Sequence, residues 1–205
     1  MQLLLIRHAL PLRSEIGQGS DPELAEAGHE QARRLPNAVE RFPITRLVSS
    51  PQVRALQTAQ PLAAQRGLDV DIDERFAEYD RELAGYLPIE QVRTERPQDW
   101  ARMAQGHLPA GVDEDAFGAR VAAAVADVVT GAAADDTVAV FSHGGVINMI
   151  LHQILGTQRL LSFPIDYVSI TRLLYSRSGR AAVVSTNGTE HVWDLLPRNQ
   201  DRFSG

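Results

Sequence analysis

Short apolar runs that alternate with helical patterns constrain the fold of this chain more than any other feature. The apolar runs have the length of strands and lie near residues 2–7, 45–49, 69–73 and 137–141. Between them, apolar residues recur at helical spacing near residues 22–40, 51–66 and 114–129. This alternation is typical of βαβ units, in which successive strands lie parallel and helices cover the sheet. We predict an α/β fold, a three-layer α/β/α sandwich.

Two further apolar segments close the chain, near residues 168–174 and 181–186, and a short turn at 176–179 joins them. A turn of this length suits a hairpin, whose strands are antiparallel. The predicted sheet is therefore mostly parallel with an antiparallel edge.

Helix starts are predicted at three capping residues. Asp21 precedes Pro22 and Ser50 precedes Pro51, so each pair places a capping side chain before a proline at the first helical position. Asp113 is expected to cap the helix over 114–129.

The chain length of 205 residues fits a single domain, 1–205. Within it, residues 81–111 lack a strand pattern, and Pro97, Pro109 and Gly111 interrupt their helical stretch. We predict that 81–111 is an excursion that covers the active site and controls access to it. Trp100 in this excursion is interpreted as a packing residue, as is Trp193.

The composition excludes several classes of protein and site. A net charge of −6 and a pI near 5.5 disfavour a nucleic-acid or anionic membrane surface. The absence of cysteine excludes disulfides, thiolate metal sites and a cysteine nucleophile. All 20 basic residues are arginine, which excludes a lysine-dependent phosphate loop and favours arginine forks that bind two phosphate oxygens at once.

The N-terminal run also bears on location. Residues 1–6 have no basic leader, and Arg7 and His8 end the run well short of a signal-peptide core. No apolar run approaches the ~20 residues of a membrane-spanning helix. We expect a cytoplasmic protein.

Polar motifs follow three of the predicted strands. Arg7 and His8 follow the first, the stretch 49–51 with Arg54 follows the second, and the stretch 142–145, with His143, follows the strand at 137–141. Because ligands bind at the carboxyl ends of strands in open α/β sheets, these motifs are expected to converge. Two guanidinium groups and two imidazoles in one crevice suit a phosphoryl group.

A phosphoryl group in such a crevice could be transferred to histidine. A neutral imidazole can attack phosphorus, and neighbouring arginines keep it neutral by lowering its pKa. The leaving oxygen then needs a proton, for which Glu78 is the first candidate, with Asp80 and Glu82 as alternatives. The backbone amides of Gly144 and Gly145 are expected to add to the phosphate site.

Other enzyme classes fit the sequence less well. A serine-hydrolase elbow needs a glycine where Val140 stands, and a metal-dependent phosphoesterase needs a short-range cluster of His and Asp ligands that is absent. A non-catalytic phosphate-binding module remains an alternative.

Together these motifs resemble the histidine phosphatase superfamily, which also contains the cofactor-dependent phosphoglycerate mutases. The resemblance spans nearly the whole chain. It rests on the Arg-His pair, the Asp-x-x-Leu, Gly and Gln-Ala pattern from Asp21 to Ala32, the stretch from Ser49 to Ala59, His-Gly-Gly at 143–145, and Asn187 with His191. It implies a phosphoglycerate mutase-like fold.

The resemblance also implies roles for the site residues. His8 would be the phosphorylated nucleophile, and Glu78 the proton donor. Arg7, Arg54 and His143 would hold the phosphate.

Several positions depart from the family pattern. Ala9 stands where the family has glycine, and Ser14, a candidate phosphate ligand, stands where it has asparagine. Asp113 replaces the end of a Gly-Glu-Ser motif, and residues 83–85 replace an aromatic-Glu-Gly signature. The insertions typical of the mutases are missing, which favours hydrolysis over mutase chemistry.

We therefore predict a metal-independent phosphomonoesterase that acts through a phosphohistidine and needs no cofactor. The expected partner is a small-molecule phosphate ester, with neither nucleic acid nor membrane bound, and a homodimer is left open. Phosphoglycerate mutase-type transfer is the alternative activity. The substrate is not readable from the sequence.

Overall fold

A computed structural model describes residues 1–12, 21–82 and 89–200 of the chain. Six strands form one sheet in these residues, and in chain order they are β1 (Gln2–Arg7), β2 (Ile44–Ser49), β3 (Val70–Ile72), β4 (Thr137–Ser142), β5 (Ile170–Tyr175) and β6 (Ala181–Gly188). The helices are α1 (Glu26–Ala38), α2 (Val53–Arg66), α3 (Ile89–Glu95), α4 (Pro97–Ala104), α5 (Glu114–Thr130), α6 (Gly144–Leu155) and α7 (Pro197–Gln200). Short 3₁₀ segments occupy Glu74–Phe76, Tyr79–Glu82 and Glu190–Leu195.

The sheet has the strand order β3-β2-β4-β1-β5-β6. The central strand β4 pairs in parallel with β1 and β2, and every residue of β4 is buried, as expected for a strand covered on both faces. β5 runs antiparallel to β1, and β6 antiparallel to β5. The predicted mostly parallel sheet with an antiparallel edge is confirmed.

Two apolar cores lie on opposite faces of this sheet because neighbouring residues of a strand point to opposite sides. Leu3 and Val138 belong to the core that includes α5 and α6. Leu4 and Ala139 belong to the core that includes α1 and α2. The three-layer α/β/α arrangement is thus confirmed, and it leaves the carboxyl ends of β1, β2 and β4 side by side.

Helix α1 begins four residues later than predicted, and Asp21 does not cap it. Its N-cap is Ala25, because the preceding backbone is extended and pairs with the loop after β1: Leu24 bridges Pro11, and the Leu12 N–H donates to the Glu23 carbonyl at 2.7 Å. The Asp21 carboxylate instead accepts from the Val53 N–H, at 2.9 and 3.0 Å to its two oxygens, at the start of α2.

Ser50 is likewise not an N-cap. Helix α2 begins at Val53 with Gln52 in the N-cap position, so Arg54 lies in its first turn. The Ser50 hydroxyl accepts from the Gln52 N–H at 3.3 Å. It also contacts the ring of His143. The third prediction is confirmed, since the Asp113 carboxylate accepts from the Ala116 N–H at 2.9 Å and caps α5.

The excursion contains two consecutive helices, α3 and α4, and Pro97 opens α4 rather than interrupting a helix. Across the described ranges, no helix has both the length and the apolar character to cross a membrane.

Candidate active site

The three motifs predicted to converge lie at adjacent strand ends. The His8 N–H donates to the Ser142 carbonyl at 2.9 Å, which ties the end of β1 to the end of β4. On the other side of β4, the Ser50 N–H donates to the Phe141 carbonyl at 2.9 Å. Parallel register therefore brings His8, Ser50 and His143 to one edge of the sheet.

His8 is buried, and its geometry leaves one ring nitrogen for chemistry. Nδ1 lies 2.8 Å from the Ala9 carbonyl oxygen. A carbonyl only accepts, so Nδ1 carries the proton and Nε2 of the neutral ring has the lone pair. Burial, followed by the positive charges of Arg54 and Arg7, holds the His8 pKa well below its usual range. The ring is therefore neutral at physiological pH, and its Nε2 can act as a nucleophile.

Arg7 is positioned by the segment that leads into β5. Its Nη1 donates to the Ile165 carbonyl at 2.7 Å, and its guanidinium carbon lies 3.9 Å from the centre of the Tyr167 ring. The same tyrosine ring lies 5.7 Å from the ring of His8, centre to centre. Tyr167 thus contacts both members of the Arg-His pair, a role that the sequence analysis missed.

Val168, next to Tyr167, has a left-handed backbone with φ of 54°. This conformation costs a β-branched residue roughly 1–2 kcal/mol. Its N–H donates to the carbonyls of Arg7 at 3.1 Å and His8 at 3.4 Å, which fixes the turn. The strained residue therefore holds Tyr167 against the Arg-His pair.

Arg54 is fully buried and is oriented by carboxylates. Its Nη2 donates to both oxygens of Asp80, at 3.1 and 2.8 Å, and its Nη1 lies 3.5 Å from Asp21 Oδ1. Asp80, an alternative proton donor by sequence, is here an ion-pair partner of Arg54.

Glu78 is buried and faces the start of α6. Its Oε2 accepts from the Gly145 N–H at 2.8 Å, and its Oε1 accepts from the Tyr79 N–H at 3.1 Å. Burial and the neighbouring negative charge of Asp80 raise the pKa of Glu78 to about 7. A large fraction of this carboxyl is protonated near neutral pH, as a general acid requires.

Gln52 hydrogen-bonds both acidic residues. Its Oε1 accepts from the Glu78 N–H at 2.8 Å, while its Nε2 donates to Asp80 Oδ1 at 3.0 Å. The sequence analysis missed this residue. In the sequence, Gln52 is one of two residues between Pro51 and Arg54 whose identity the second motif does not specify. A polar side chain at that position was the only indication of a role.

His143 is fully buried, and its Nε2 lies 2.8 Å from the Ser50 hydroxyl oxygen. Nδ1 is also buried and makes no hydrogen bond to any residue in the described ranges. Burial and the charge of Arg54 hold the His143 pKa well below its usual range. The neutral ring lies 5.1 Å from that of His8, centre to centre. If Ser50 donates to Nε2, Nδ1 bears the proton of the neutral ring.

The two glycines that open α6 differ in their surroundings. A Cβ added to Gly145 would lie 2.8 Å from the Tyr79 ring and closer still to Oε1 of Glu78. A Cβ on Gly144 would meet only Nε of Arg7, at 3.8 Å. Gly145 is therefore required for the approach of Glu78 to α6.

Two predicted candidates cannot be placed. Ser14 and the side chain of Glu82 lie outside the described residues. Within those that are described, no group of three or more His, Cys, Asp or Glu side chains lies close enough to hold a metal ion.

A cavity of about 260 Å³ opens beside these side chains, and His143 and Ser50 are not among its lining residues. Arg7, His8, Arg54, Glu78 and Gly144 line it. Residues of the excursion also line it, including Trp100, which the sequence analysis interpreted as a packing residue.

This arrangement can transfer a phosphoryl group. A neutral imidazole with the lone pair on Nε2 lies beside two guanidinium groups and a second imidazole, which can stabilise the charge on phosphate oxygens during transfer. A buried carboxyl with a pKa near neutrality lines the same cavity.

Comparisons with known proteins show the family of this chain. A sequence model of the histidine phosphatase superfamily (branch 1) matches residues 3–188. Phosphoserine phosphatase 1 of Hydrogenobacter thermophilus is 32% identical over 105 residues, a match that spans 50% of this chain and 50% of that protein. A probable phosphoglycerate mutase of Yersinia pestis (strain Pestoides F) is 30% identical over 164 residues, covering 76% of this chain and 75% of that protein.

Among solved structures, a mycobacterial glucosyl-3-phosphoglycerate phosphatase superposes with a TM-score of 0.75 at 26% identity. The match covers 91% of this chain and 98% of that one. The resemblance seen in the sequence is therefore confirmed over the fold as well.

Proposed function

The chain belongs to the histidine phosphatase superfamily (branch 1), and we propose that it is a phosphomonoesterase that hydrolyses small phosphorylated metabolites through a phosphohistidine at His8. The observation that carries this proposal is the hydrogen bond between His8 Nδ1 and the Ala9 carbonyl, 2.8 Å long, which directs the lone pair of Nε2 away from its own backbone. Phosphatases among the relatives support the class of reaction.

In the first step, His8 Nε2 attacks phosphorus and the bond to the ester oxygen breaks. Arg7 and Arg54 stabilise the charge on the phosphoryl oxygens, and His143 donates a hydrogen bond to them. Glu78 gives its proton to the departing alkoxide, so the alcohol leaves neutral and Glu78 becomes a carboxylate.

In the second step, water attacks the phosphohistidine. The Glu78 carboxylate takes a proton from that water as the phosphorus–nitrogen bond breaks, which releases inorganic phosphate and restores neutral His8 and protonated Glu78. Proton donor and proton acceptor are thus one residue in the two half-reactions. The positive charges of the site come from arginine, so no metal ion is required.

Rapid quench with a phosphate-labelled nitrophenyl ester tests the mechanism. We expect acid-labile, base-stable label on the wild-type protein and none on His8→Ala, whose turnover should also be lost. His29→Ala, which changes an exposed histidine of α1, is the matched control and should retain label and turnover. Turnover by His8→Ala would overturn the mechanism.

The mutase alternative is tested with the same protein. Because a probable phosphoglycerate mutase is among the relatives, 3-phosphoglycerate should be supplied and both inorganic phosphate and 2-phosphoglycerate measured. Hydrolysis predicts phosphate release without isomerisation. Turnover should persist in the presence of a chelator, and loss that a divalent ion restores would move the protein to another class.

A further inference from the structure

Apart from its charged side chains, the cavity that contains His8 is lined mainly by apolar residues. They come from two separate segments, the excursion and the loop that follows α6. The larger ones are Val92, Trp100, Met103, Leu161, Phe163 and Ile165. A site that had to bind only phosphate and a short polar alcohol would not need this surface.

Helix α4 supplies one side of the apolar wall. Trp100 and Met103 are three residues apart and so lie on one face of the helix. An amphipathic helix normally buries its apolar face, yet no residue of α4 is fully buried, and this face lines the cavity instead. A bound molecule is what would remove it from water.

The part of the wall that follows α6 is fixed to that helix by Asn148. Its Oδ1 accepts from the N–H groups of Ser162, at 3.1 Å, and Phe163, at 2.9 Å. Its Nδ2 donates to the carbonyls of Gly144 and Phe163, each at 3.1 Å. The loop is therefore held in place, as expected of a largely pre-formed binding site.

The charges along the cavity do not favour a second anion. Arg7 and Arg54 are required for the phosphate, and Asp80 and Asp99 add negative charge to the same lining. Arg96 is the further cation there, three residues before Asp99 on the sequence. A carboxylate against the apolar wall would lose its hydration, a cost that only a contact with Arg96 could offset.

We propose that the preferred substrates are phosphate monoesters whose alcohol carries an apolar chain or ring. Esters of small carboxylate-bearing alcohols, such as phosphoserine and 3-phosphoglycerate, are disfavoured. This preference rests on the proposed phosphatase function and specifies which part of the cavity holds the alcohol. Trp100 and Met103 are its specificity-determining residues.

A series of primary n-alkyl phosphates tests the preference with the leaving group held nearly constant. From ethyl to hexyl phosphate, kcat/KM should rise about three- to fourfold for each methylene that becomes buried. Phosphoserine and 3-phosphoglycerate should have kcat/KM values at least tenfold below that of hexyl phosphate. A kcat/KM that does not change along the series would overturn the proposal.

Two variants and one control locate the effect. Trp100→Ala and Met103→Ser should each lower the hexyl-to-ethyl ratio of kcat/KM by about tenfold, and circular dichroism should show that both are folded. Trp193→Ala is the matched control, because Trp193 is an exposed tryptophan outside the cavity, and its ratio should equal that of the wild type. An unchanged ratio in both cavity variants would overturn the assignment.

The outcomes also separate this proposal from the function on which it rests. Suppose that the wild type hydrolyses ethyl and nitrophenyl phosphates but prefers phosphoserine, and that Arg96→Ala loses this preference. That result would overturn the apolar preference and leave the phosphatase function standing. No turnover of any ester, with no phosphohistidine, would overturn both.

Discussion

Glu78 and Gly145 are joined by a hydrogen bond of 2.8 Å from the glycine N–H to the carboxyl Oε2. The bond links the 3₁₀ region after β3 to the first turn of α6. It holds the buried carboxyl against the start of α6, the helix that His143 immediately precedes. The carboxyl that we propose as the proton donor is thus held in place by a backbone N–H.

Substitution of the two glycines should have unequal effects. In Gly145→Ala the new methyl group overlaps Glu78 and Tyr79, so we expect kcat on an alkyl phosphate to fall by about 10² or more, the scale of general acid catalysis. In Gly144→Ala the added Cβ has room, and the loss should be less than tenfold. Steady-state kinetics of both purified variants check this, and equal losses would contradict it.

Glu78→Gln should show a dependence on the leaving group. A general acid matters when the alcohol is a poor leaving group, so the rate on an alkyl phosphate should fall by about 10² or more. The rate on a nitrophenyl ester should fall far less, with phosphohistidine still formed.

Asp80→Asn is the comparison for that variant. It weakens the contact with Arg54, so both esters should slow by similar factors. A selective loss in Asp80→Asn or Glu82→Gln, with equal losses in Glu78→Gln, would show that another carboxyl is the donor.

The pH profile should report Glu78 directly. Its pKa is raised to about 7 and it must be protonated to act, so kcat/KM on an alkyl phosphate should decline above about pH 7. This decline should be absent in Glu78→Gln and weak for the nitrophenyl ester. Because the pKa of His8 is well below its usual range, no loss from protonation of His8 should occur near pH 6.5. The phosphate group of each substrate also ionises near pH 6, so the profiles of the two esters are compared to separate that ionisation from the one of Glu78.

Stability should shift with pH in the same variant. The raised pKa of Glu78 contributes stability that is present below the unfolded-state pKa, near 4.5, and is lost as pH rises through about 7. Relative to Glu78→Gln, the wild type should therefore lose unfolding free energy between pH 5 and pH 8, by at most about 3 kcal/mol. Urea titrations at the two pH values measure it, and parallel pH dependence would contradict it.

Tyr167→Leu should weaken phosphate binding by removing the ring beneath Arg7. The guanidinium carbon lies 3.9 Å from the ring centre, and a partly desolvated contact of this kind is worth roughly 1–2 kcal/mol, or about tenfold. Inhibition by inorganic phosphate measures the change. Tyr167→Phe keeps the ring and should bind phosphate like the wild type, and Tyr175→Leu is the matched control elsewhere in the sheet.

The sequence by itself determined the sheet and the location of the site. Strand-length apolar runs depend on local periodicity, and parallel strands present their carboxyl ends at one edge, so Arg7, His8, Arg54 and His143 could be assigned to one crevice without knowledge of any distance. The cap at Asp113 was equally readable, because a cap and its helix are neighbours in the chain.

Only the tertiary structure decided which partner each of several side chains contacts. Asp21 has the chemistry of a cap, but any free N–H at a helix start satisfies it, and α2 rather than α1 provides that N–H. Asp80 and Glu78 are two residues apart and chemically alike, yet one faces Arg54 and the other faces Gly145. Tyr167 belongs to none of the sequence motifs, and it contacts Arg7 because the sheet brings β1 beside β5. These relations depend on long-range packing and backbone direction, which local sequence patterns do not encode.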